Sequence, residues 1–167
     1  MKDVRVVLAV CLGNICRSPT AEAAIREAAQ AIELPLEVRS AGTGSWHVGA
    51  PPDERMRAAA AAEGLMLSGT GEQVDAAALA AADLVLAMDL SNLRDLRRLA
   101  DEAGIETPVR LFREFDPEVS GDPAHREVPD PYYGGPDGFA EVVCMVRRTA
   151  RALVVEMAAA RAHQTSP

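Results

Sequence analysis

The feature that most constrains the fold of this chain is an apolar run near its start that ends at a cysteine. Residues Val4–Val10 are apolar and rich in valine apart from Arg5, which is typical of a strand covered on both faces. The pair Ser18-Pro19, followed by Glu22, is typical of the start of a helix. We therefore predict that residues Cys11–Pro19 form a tight loop between a buried strand and the N-terminus of a helix.

The predicted loop has the residue types needed to hold an anion beside a sulfur nucleophile. Free amides at a helix N-terminus bind anions, and their partial positive charge favours the thiolate form of a nearby cysteine. Five residues separate Cys11 from Arg17, so the loop can curl until the sulfur and the guanidinium face one point. Gly13 and Asn14 are expected to take the positive φ angles that a curled loop requires.

This arrangement is suited to hydrolysis of a phosphate monoester through a phospho-cysteine intermediate. Cys11 would attack phosphorus as a thiolate, because the ionised sulfur is the nucleophilic form. Arg17 and the loop amides would hold the non-bridging oxygens as charge redistributes. The predicted phosphate-binding residues are Leu12, Gly13, Asn14, Ile15, Cys16 and Arg17.

The acid that protonates the leaving oxygen must come from another part of the chain. Asp130 is the first candidate, because it lies between two prolines in a long polar loop over residues 113–135. A bound phosphate dianion would favour its protonated form, and the carboxylate could later act as base for the attacking water. On pattern alone Asp130 could instead be a turn residue, and Asp116 and Asp122 are the alternative acids.

These residues resemble the signature of the low-molecular-weight protein tyrosine phosphatases. The resemblance continues, in the family's order, through Ser40–Gly44, Trp46, Gly49, Pro51–Asp53, Ala87–Asp89, Ser91–Leu96 and Asp130–Gly134. It implies hydrolysis of phosphotyrosine in proteins, and of aryl phosphates, with Cys11 as nucleophile and Asp130 as general acid and base. It implies no cofactor, and no residue spacing in the chain resembles a metal site.

The resemblance also implies a set of residues that hold the loop in shape. Asn14, Ser18 and Ser40 would form this support, with the Ser18 hydroxyl capping the helix and donating to the thiolate. A histidine usually completes the network in the family, but Gly69 stands in its place here, and Glu72 stands where an arginine is usual. We therefore expect a looser support, or a water in the place of the histidine.

Three aromatic residues are expected at the rim of the phosphate pocket. Trp46, Tyr132 and Tyr133 lie in predicted loops, and the resemblance implies walls deep enough for phosphotyrosine but not phosphoserine. A core position is the alternative for Trp46, although its glycine-rich neighbours favour a loop. His47 is expected to be a further rim residue.

The chain has three cysteines, an odd number without disulfide-rich spacing, which favours a reducing compartment. Cys16 is either a redox partner of Cys11, as in members of the resembled family, or a small apolar filler. Cys144 is predicted to be a core residue of the last helix.

Overall charge and hydropathy narrow the choice of partners. The net charge of −8 disfavours a general nucleic-acid binder, while leaving a phosphorylated substrate in a locally positive pocket open. The start of the chain shows no charged-then-apolar leader, and no apolar run approaches membrane-spanning length. We expect a soluble, cytoplasmic protein with a tyrosine-phosphorylated protein as substrate, inorganic phosphate as product, and no nucleic-acid or membrane partner.

Three competing functions are weaker matches to these residues. Thiol-linked arsenate reductases share the loop but need further cysteines near the third strand, and residues 83–91 contain none. In related phosphoarginine hydrolases a threonine stands where this chain has Ile15, whose apolar side chain favours tyrosine. A phosphopeptide-binding module would be expected to lack the nucleophile or the acid, and both are present.

Predicted strands alternate with predicted helices along the chain of 167 residues, which indicates an α/β fold with a parallel sheet. We expect a single three-layer domain over residues 1–162, with helices on both faces of four strands and the phosphate-binding loop after strand one. The strands are predicted near residues 4–10, 36–40, 83–88 and 109–112. Ser91 is expected to cap a helix, the last helix is predicted over residues 138–161, and residues 163–167 should form a frayed tail.

Overall fold

A four-stranded parallel sheet lies at the centre of the protein in a computed structural model, which describes residues 3–164. The strands are β1 (Val6–Cys11), β2 (Glu37–Gly42), β3 (Leu84–Ala87) and β4 (Val109–Leu111). Their spatial order is β2-β1-β3-β4, and every neighbouring pair is parallel. The predicted α/β class, the strand number and the parallel direction are therefore confirmed.

Within residues 3–164, five α-helices cover the two faces of the sheet. They are α1 (Arg17–Ala31), α2 (Glu54–Ala62), α3 (Ala76–Ala81), α4 (Leu90–Ala103) and α5 (Pro136–Gln164). Helices α1, α2 and α5 share a core with one face, and α3 and α4 share a second core with the other. The predicted three-layer arrangement is confirmed.

Strand β1 shows why a continuous apolar run was needed at this place. Val7, Ala9 and Cys11 point into the core under α1, α2 and α5, whereas Leu8 and Val10 point into the core under α3 and α4. Because β2 and β3 flank it, β1 is an inner strand. Its carboxyl end therefore lies in the middle of the sheet edge at which open α/β folds bind ligands.

Two helix caps differ from the sequence prediction. Asp89, not Ser91, caps α4, and its carboxylate accepts from the amide of Asn92. Ser18 does not cap α1: the helix begins at Arg17, two residues before the start that a Ser18 cap would give, its N-cap position is Cys16, and no side chain caps it. The hydroxyl of Ser18 is therefore available for other contacts.

Other differences concern the second half of the chain. The predicted structureless loop contains two short 3₁₀ helices, Phe112–Phe115 and Pro123–Arg126. Cys144 is exposed rather than buried, because it lies off the face of α5 that carries Val142, Val143 and Val146 into the core. Helix α5 continues to Gln164, so residues 163 and 164 are helical, while residues 165–167 of the expected tail lie outside the described residues.

Candidate active site

The segment between β1 and α1 forms the floor of a cavity of about 300 Å³. Cys11 is the last residue of β1 and is only 2% exposed, but it lines this cavity together with Leu12, Gly13, Ile15, Cys16 and Arg17. The Sγ atom of Cys11 accepts a hydrogen bond from the backbone amide of Asn14 at 3.2 Å and lies 3.1 Å from the hydroxyl of Ser18. Cys11 is thus almost fully buried and hydrogen-bonded to the loop, and it is also part of the cavity lining.

Asn14 holds the turn of this segment. It has a φ of 55°, a left-handed conformation that asparagine tolerates better than most residues, whereas Gly13 has no positive φ, contrary to prediction. Its side-chain amide donates to Ser18 Oγ at 2.8 Å and to Ser40 Oγ at 3.0 Å. Its Oδ1 accepts from the backbone amide of Glu72 at 2.9 Å. The side chain therefore joins the loop to β2 and to the segment that follows α2.

Glycine is required beside the loop at Gly42, which pairs with Cys11 in the sheet register. A Cβ atom at this position would lie 2.8 Å from the carbonyl oxygen of Leu12. Such a contact would displace the loop backbone, which gives a steric reason for the glycine at the end of β2.

Arg17 is buried, with 3% of its surface exposed, and reaches three partners at the cavity wall. Its Nη1 donates to Asp89 Oδ2 at 2.6 Å and to the carbonyl of Val128 at 3.3 Å, while Nη2 donates to Asp130 Oδ2 at 3.2 Å. Burial alone would lower the pKa of Arg17, but the negative charges of Cys11, Asp89 and Asp130 raise it above its ordinary value. The guanidinium is fixed and charged beside Cys11.

Asp89 was missed as a site residue by sequence reasoning. It follows β3, and β3 neighbours β1, so the carboxyl ends of these strands bring Asp89 and the loop together. A polar residue directly after a buried strand is the signal that could have identified it.

Asp130 lies on the same cavity as Cys11 and Arg17, with 41% of its side chain exposed. Its second oxygen accepts from the amide of Tyr132 at 3.1 Å, which is the local turn that the Asp-Pro pair suggested. Asp130 can therefore form the local turn and contact Arg17 at the same time, because Oδ1 accepts from Tyr132 and Oδ2 accepts from Arg17.

The rim is aromatic on two sides. Trp46 is 73% exposed and Tyr133 is 94% exposed, so Trp46 is not a core residue. Tyr132 stacks edge-on against Tyr133 at 4.9 Å between ring centroids, and His47 lies 6.2 Å from the Tyr132 ring. All four side chains line the cavity together with the loop residues and Asp130.

Comparison with known proteins agrees with this architecture. The sequence profile of the family described as "Low molecular weight phosphotyrosine protein phosphatase" matches residues 6–163. The chain belongs to this family. A "Low molecular weight protein-tyrosine-phosphatase" of Streptomyces coelicolor is 44% identical over 147 residues, covering 87% of this chain and 88% of that protein.

Solved structures of family members superpose on nearly the whole chain. A protein tyrosine phosphatase of Entamoeba histolytica, 31% identical, has a TM-score of 0.84 and covers 94% of this chain and 99% of its own. A Drosophila arginine phosphatase, 29% identical, has a TM-score of 0.79 and covers 99% of both chains. Proteins with this fold therefore include a tyrosine phosphatase and an arginine phosphatase. The residues of the cavity walls are thus important for which phosphorylated amino acid is hydrolysed.

The two alternative acids, Asp116 and Asp122, have structural positions in this phosphatase. The buried carboxylate of Asp116 accepts from Arg148 at 2.7 Å twice and from Arg113 at 3.2 Å. Burial opposes its ionisation, but the hydrogen bonds to Arg148, Glu118 and Arg113 lower its pKa to about 2. Asp122 caps the second 3₁₀ helix through the amide of Ala124, and neither carboxylate lines the cavity of Cys11.

Cys16 lies in the same cavity but is 4% exposed. Burial, together with the nearby negative groups Asp53, Cys11 and Asp130, raises the pKa of its thiol to about 12. Cys16 is therefore a protonated thiol at neutral pH.

The support of the loop differs from the pattern that the family resemblance implied. Gly69 has a φ of +88° and no atom near its Cβ position, and it borders a second cavity of about 400 Å³ beside Asn14 and Ser40. Instead of a histidine, Glu22 of α1 contacts Ser40, whose hydroxyl donates to Glu22 Oε2 at 2.6 Å. Sequence reasoning used Glu22 only as a helix-start signal and missed this contact.

Among residues 3–164, no group of three or more His, Cys, Asp or Glu side chains is placed to hold a metal ion. Within the same range, no helix is long and apolar enough to cross a membrane.

Proposed function

We propose that this phosphatase hydrolyses phosphotyrosine in proteins, and aryl phosphates, through a phospho-cysteine formed on Cys11. The observation that carries the proposal is that Cys11, Arg17 and Asp130 line one cavity with an aromatic rim. A nucleophile, an anion-binding guanidinium and an acid are the groups that this reaction needs within reach of one phosphorus atom. The proposed substrate is a tyrosine-phosphorylated protein, and the products are the dephosphorylated protein and inorganic phosphate.

In the first step, the phosphate dianion sits on the loop amides and Arg17. Asp89 already holds Nη1 of Arg17, so the substrate oxygens would compete mainly with Asp130 for Nη2. The Cys11 thiolate attacks phosphorus while the bond to the tyrosine oxygen breaks. The guanidinium stabilises the equatorial oxygens in the transition state.

In the same step Asp130 donates its proton to the leaving tyrosine oxygen, after the phosphate has displaced it from Arg17 and favoured its neutral form. In the second step the Asp130 carboxylate accepts a proton from water, which attacks the phospho-cysteine and releases phosphate. The Ser18 hydroxyl, 3.1 Å from Sγ, stabilises the thiolate as it leaves.

The cavity walls favour phosphotyrosine over phosphoserine and phosphoarginine. Trp46, Tyr132 and Tyr133 line the same cavity as Cys11 and provide aromatic faces that suit a planar ring. Ile15 adds an apolar wall and offers no hydroxyl to a guanidino group. These wall residues favour hydrolysis of phosphotyrosine over hydrolysis of phosphoarginine, although the chain is similar to a Drosophila arginine phosphatase.

The proposal is tested by hydrolysis of matched peptides that carry phosphotyrosine, phosphoserine or phosphoarginine. We expect phosphotyrosine to be preferred by about 100-fold or more, since a side chain that falls short of Cys11 loses the whole reaction geometry. Cys11→Ser should abolish turnover, while Cys144→Ser, the exposed matched control, should leave it unchanged. Equal rates on the three peptides, or turnover by Cys11→Ser, would refute the proposal.

We also propose that Cys16 protects the nucleophile from irreversible oxidation. Hydrogen peroxide oxidises the Cys11 thiolate to a sulfenic acid. The Cys16 sulfur then attacks the sulfenic sulfur as it gives up its proton, which leaves with the hydroxyl group as water, and a disulfide forms. Wild type treated with peroxide should regain activity with dithiothreitol, and Cys16→Ser should regain much less. Equal recovery would leave Cys16 as an apolar filler.

A cytoplasmic location is part of the same proposal, because a free Cys11 thiolate and the reduction of the proposed Cys11–Cys16 disulfide both require a reducing compartment.

A further inference from the structure

Arg55, on the first turn of α2, lies next to the aromatic rim of the cavity. The carbon atom of its guanidinium group is 5.2 Å from the ring centroid of Tyr132 and 4.7 Å from that of Phe139. At such distances a cation is attracted to the face of an aromatic ring. Phe139 is only 2% exposed, so one arginine contacts a ring of the rim and a ring of the core.

The guanidinium of Arg55 is held in place by Asp53, the N-cap residue of α2. Nε and Nη2 of Arg55 donate to the two carboxylate oxygens of Asp53 at 3.1 and 2.9 Å, a paired contact that suits the planar guanidinium. This hydrogen bonding raises the pKa of Arg55, so the group over the ring stays charged. The backbone amide of Asp53 donates to the carbonyl of Ile15 at 2.8 Å, which ties the ion pair to the floor of the cavity.

The other contacts of the Tyr132 ring come from side chains that are less firmly held. Tyr133, edge-on at 4.9 Å, is itself 94% exposed, and the His47 ring is 6.2 Å away. The turn with Asp130 holds the backbone amide of Tyr132 but leaves the side-chain torsions free. Tyr132 is only half-buried where it packs against the core. Arg55 is therefore the polar contact that joins this ring to a helix.

The geometry points to Arg55 as a positioning residue that holds the Tyr132 ring as a wall for the aromatic ring of the substrate. A wall that is already oriented loses little conformational freedom when a ring binds against it, and this pre-organisation increases affinity. The gain applies to ligands that carry a ring and not to the charged group that binds the floor. The inference deepens the proposed function and rests on it for the identity of the substrate.

The test compares Arg55→Gln with Arg57→Gln in the binding of benzylphosphonate and methylphosphonate, which share a charged group and differ by a ring. Glutamine keeps a polar, helix-favouring side chain but lacks the charge and the fork of donors. Arg57 is the matched control, because it is an exposed arginine of the same helix that donates to the carbonyl of Pro52.

The readout is the ratio of the two dissociation constants, measured by NMR titration. Loss of one positive charge weakens both anions alike, so the ratio isolates the contribution of the ring. We expect Arg55→Gln to reduce the preference for benzylphosphonate about two- to fivefold, and Arg57→Gln to leave it at the wild-type value. An unchanged ratio in Arg55→Gln would overturn the inference. Retained binding of methylphosphonate shows that the floor of the cavity is intact.

A double-mutant cycle asks whether Arg55 acts through Tyr132. In a Tyr132→Ala background the wall is already absent, so adding Arg55→Gln should leave the ratio unchanged. A further fall of the same size in that background would show that Arg55 acts by another route, and the assigned role would be wrong. These titrations need no turnover: inactivity of the wild type on phosphotyrosine peptides would refute the proposed function, while the ratio would still decide the role of Arg55.

Discussion

The two segments that carry the proposed catalytic groups of this phosphatase are built in opposite ways. Cys11 and Arg17 lie on a segment of residues 11–18 whose polar groups are buried and hydrogen-bonded, with 2% and 3% of their surfaces exposed. Asp130 lies on the segment of residues 113–135, where its side chain is 41% exposed and is held by one turn and one ion pair. The proposed nucleophile is therefore preorganised, while the proposed acid is held near it by contacts that a substrate can displace.

This contrast predicts which variants lose all reactions and which lose only some. Changes in the first segment should slow every substrate, because the thiolate and the phosphate site take part in every turnover. Changes in the second segment should depend on how much help the leaving group needs.

The largest effect is expected for Arg17→Lys. An ammonium keeps the positive charge but lacks the planar fork with which a guanidinium can donate side by side to two phosphate oxygens while another N–H holds Asp89. We expect kcat/KM to fall about 10²–10³-fold on both aryl phosphates and phosphotyrosine peptides. Arg147→Lys, an arginine that pairs with Glu27 away from the cavity, is the control. A fall confined to phosphotyrosine would break the proposed contrast.

The next effect concerns how the second segment is anchored. Asp116 has a lowered pKa of about 2, so its contribution to folding is complete above its ordinary value of 3.8 and is lost as pH falls toward 2. We expect Asp116→Asn to lower the free energy of unfolding by about 2 kcal/mol at pH 7 and by much less near pH 2.

The measurement is thermal unfolding of wild type and Asp116→Asn between pH 2 and pH 7. Alkylation of Cys11 at neutral pH should be unchanged, since Asp116 contacts Arg113 and Arg148 rather than the first segment. A difference in stability that stays constant with pH would contradict the assigned ion pairs.

The smallest effect is expected at the rim. Trp46→Ala removes an exposed wall of the cavity without touching its floor. We expect KM for a phosphotyrosine peptide to rise about three- to tenfold with a nearly unchanged kcat, because the ring contact is made in both ground and transition states. Val155→Ala, an exposed apolar residue of α5, is the control. A lowered kcat with unchanged KM would place Trp46 in the chemistry instead.

The sequence predicted best what depends on local pattern. The valine-rich run, the helical spacing of α5 and the alternation of strands and helices each follow from burial with a fixed period, and the resulting parallel sheet is confirmed. Local pattern could not tell which of two nearby residues with similar capping preference caps a helix. Asp89 and Ser91 both suit the N-cap of α4, and the structure has Asp89 there.

Residues whose contacts depend on tertiary neighbours were harder to predict. Asp89 meets Arg17 only because β3 lies beside β1, and Glu22 meets Ser40 only because α1 packs over β2. Cys144 was predicted to be buried because it lies among apolar residues of α5. Only the face of α5 that carries Val142, Val143 and Val146 is buried, and Cys144 lies off that face. The roles of Cys11, Arg17 and Asp130 remain predictions that mutagenesis must test.

The central claim is that Asp130, whose contact with Arg17 a substrate can displace, acts as the acid for a preorganised Cys11. The most direct measurement is the kcat of Asp130→Ala on a phosphotyrosine peptide and on an aryl phosphate with a good leaving group, with Asp122→Ala as control. We predict a loss of about 10²–10³-fold on the peptide. The aryl phosphate should still show a burst of phenol, because its leaving group departs without a proton. Equal rates for Asp130→Ala and wild type on the phosphotyrosine peptide would contradict the account.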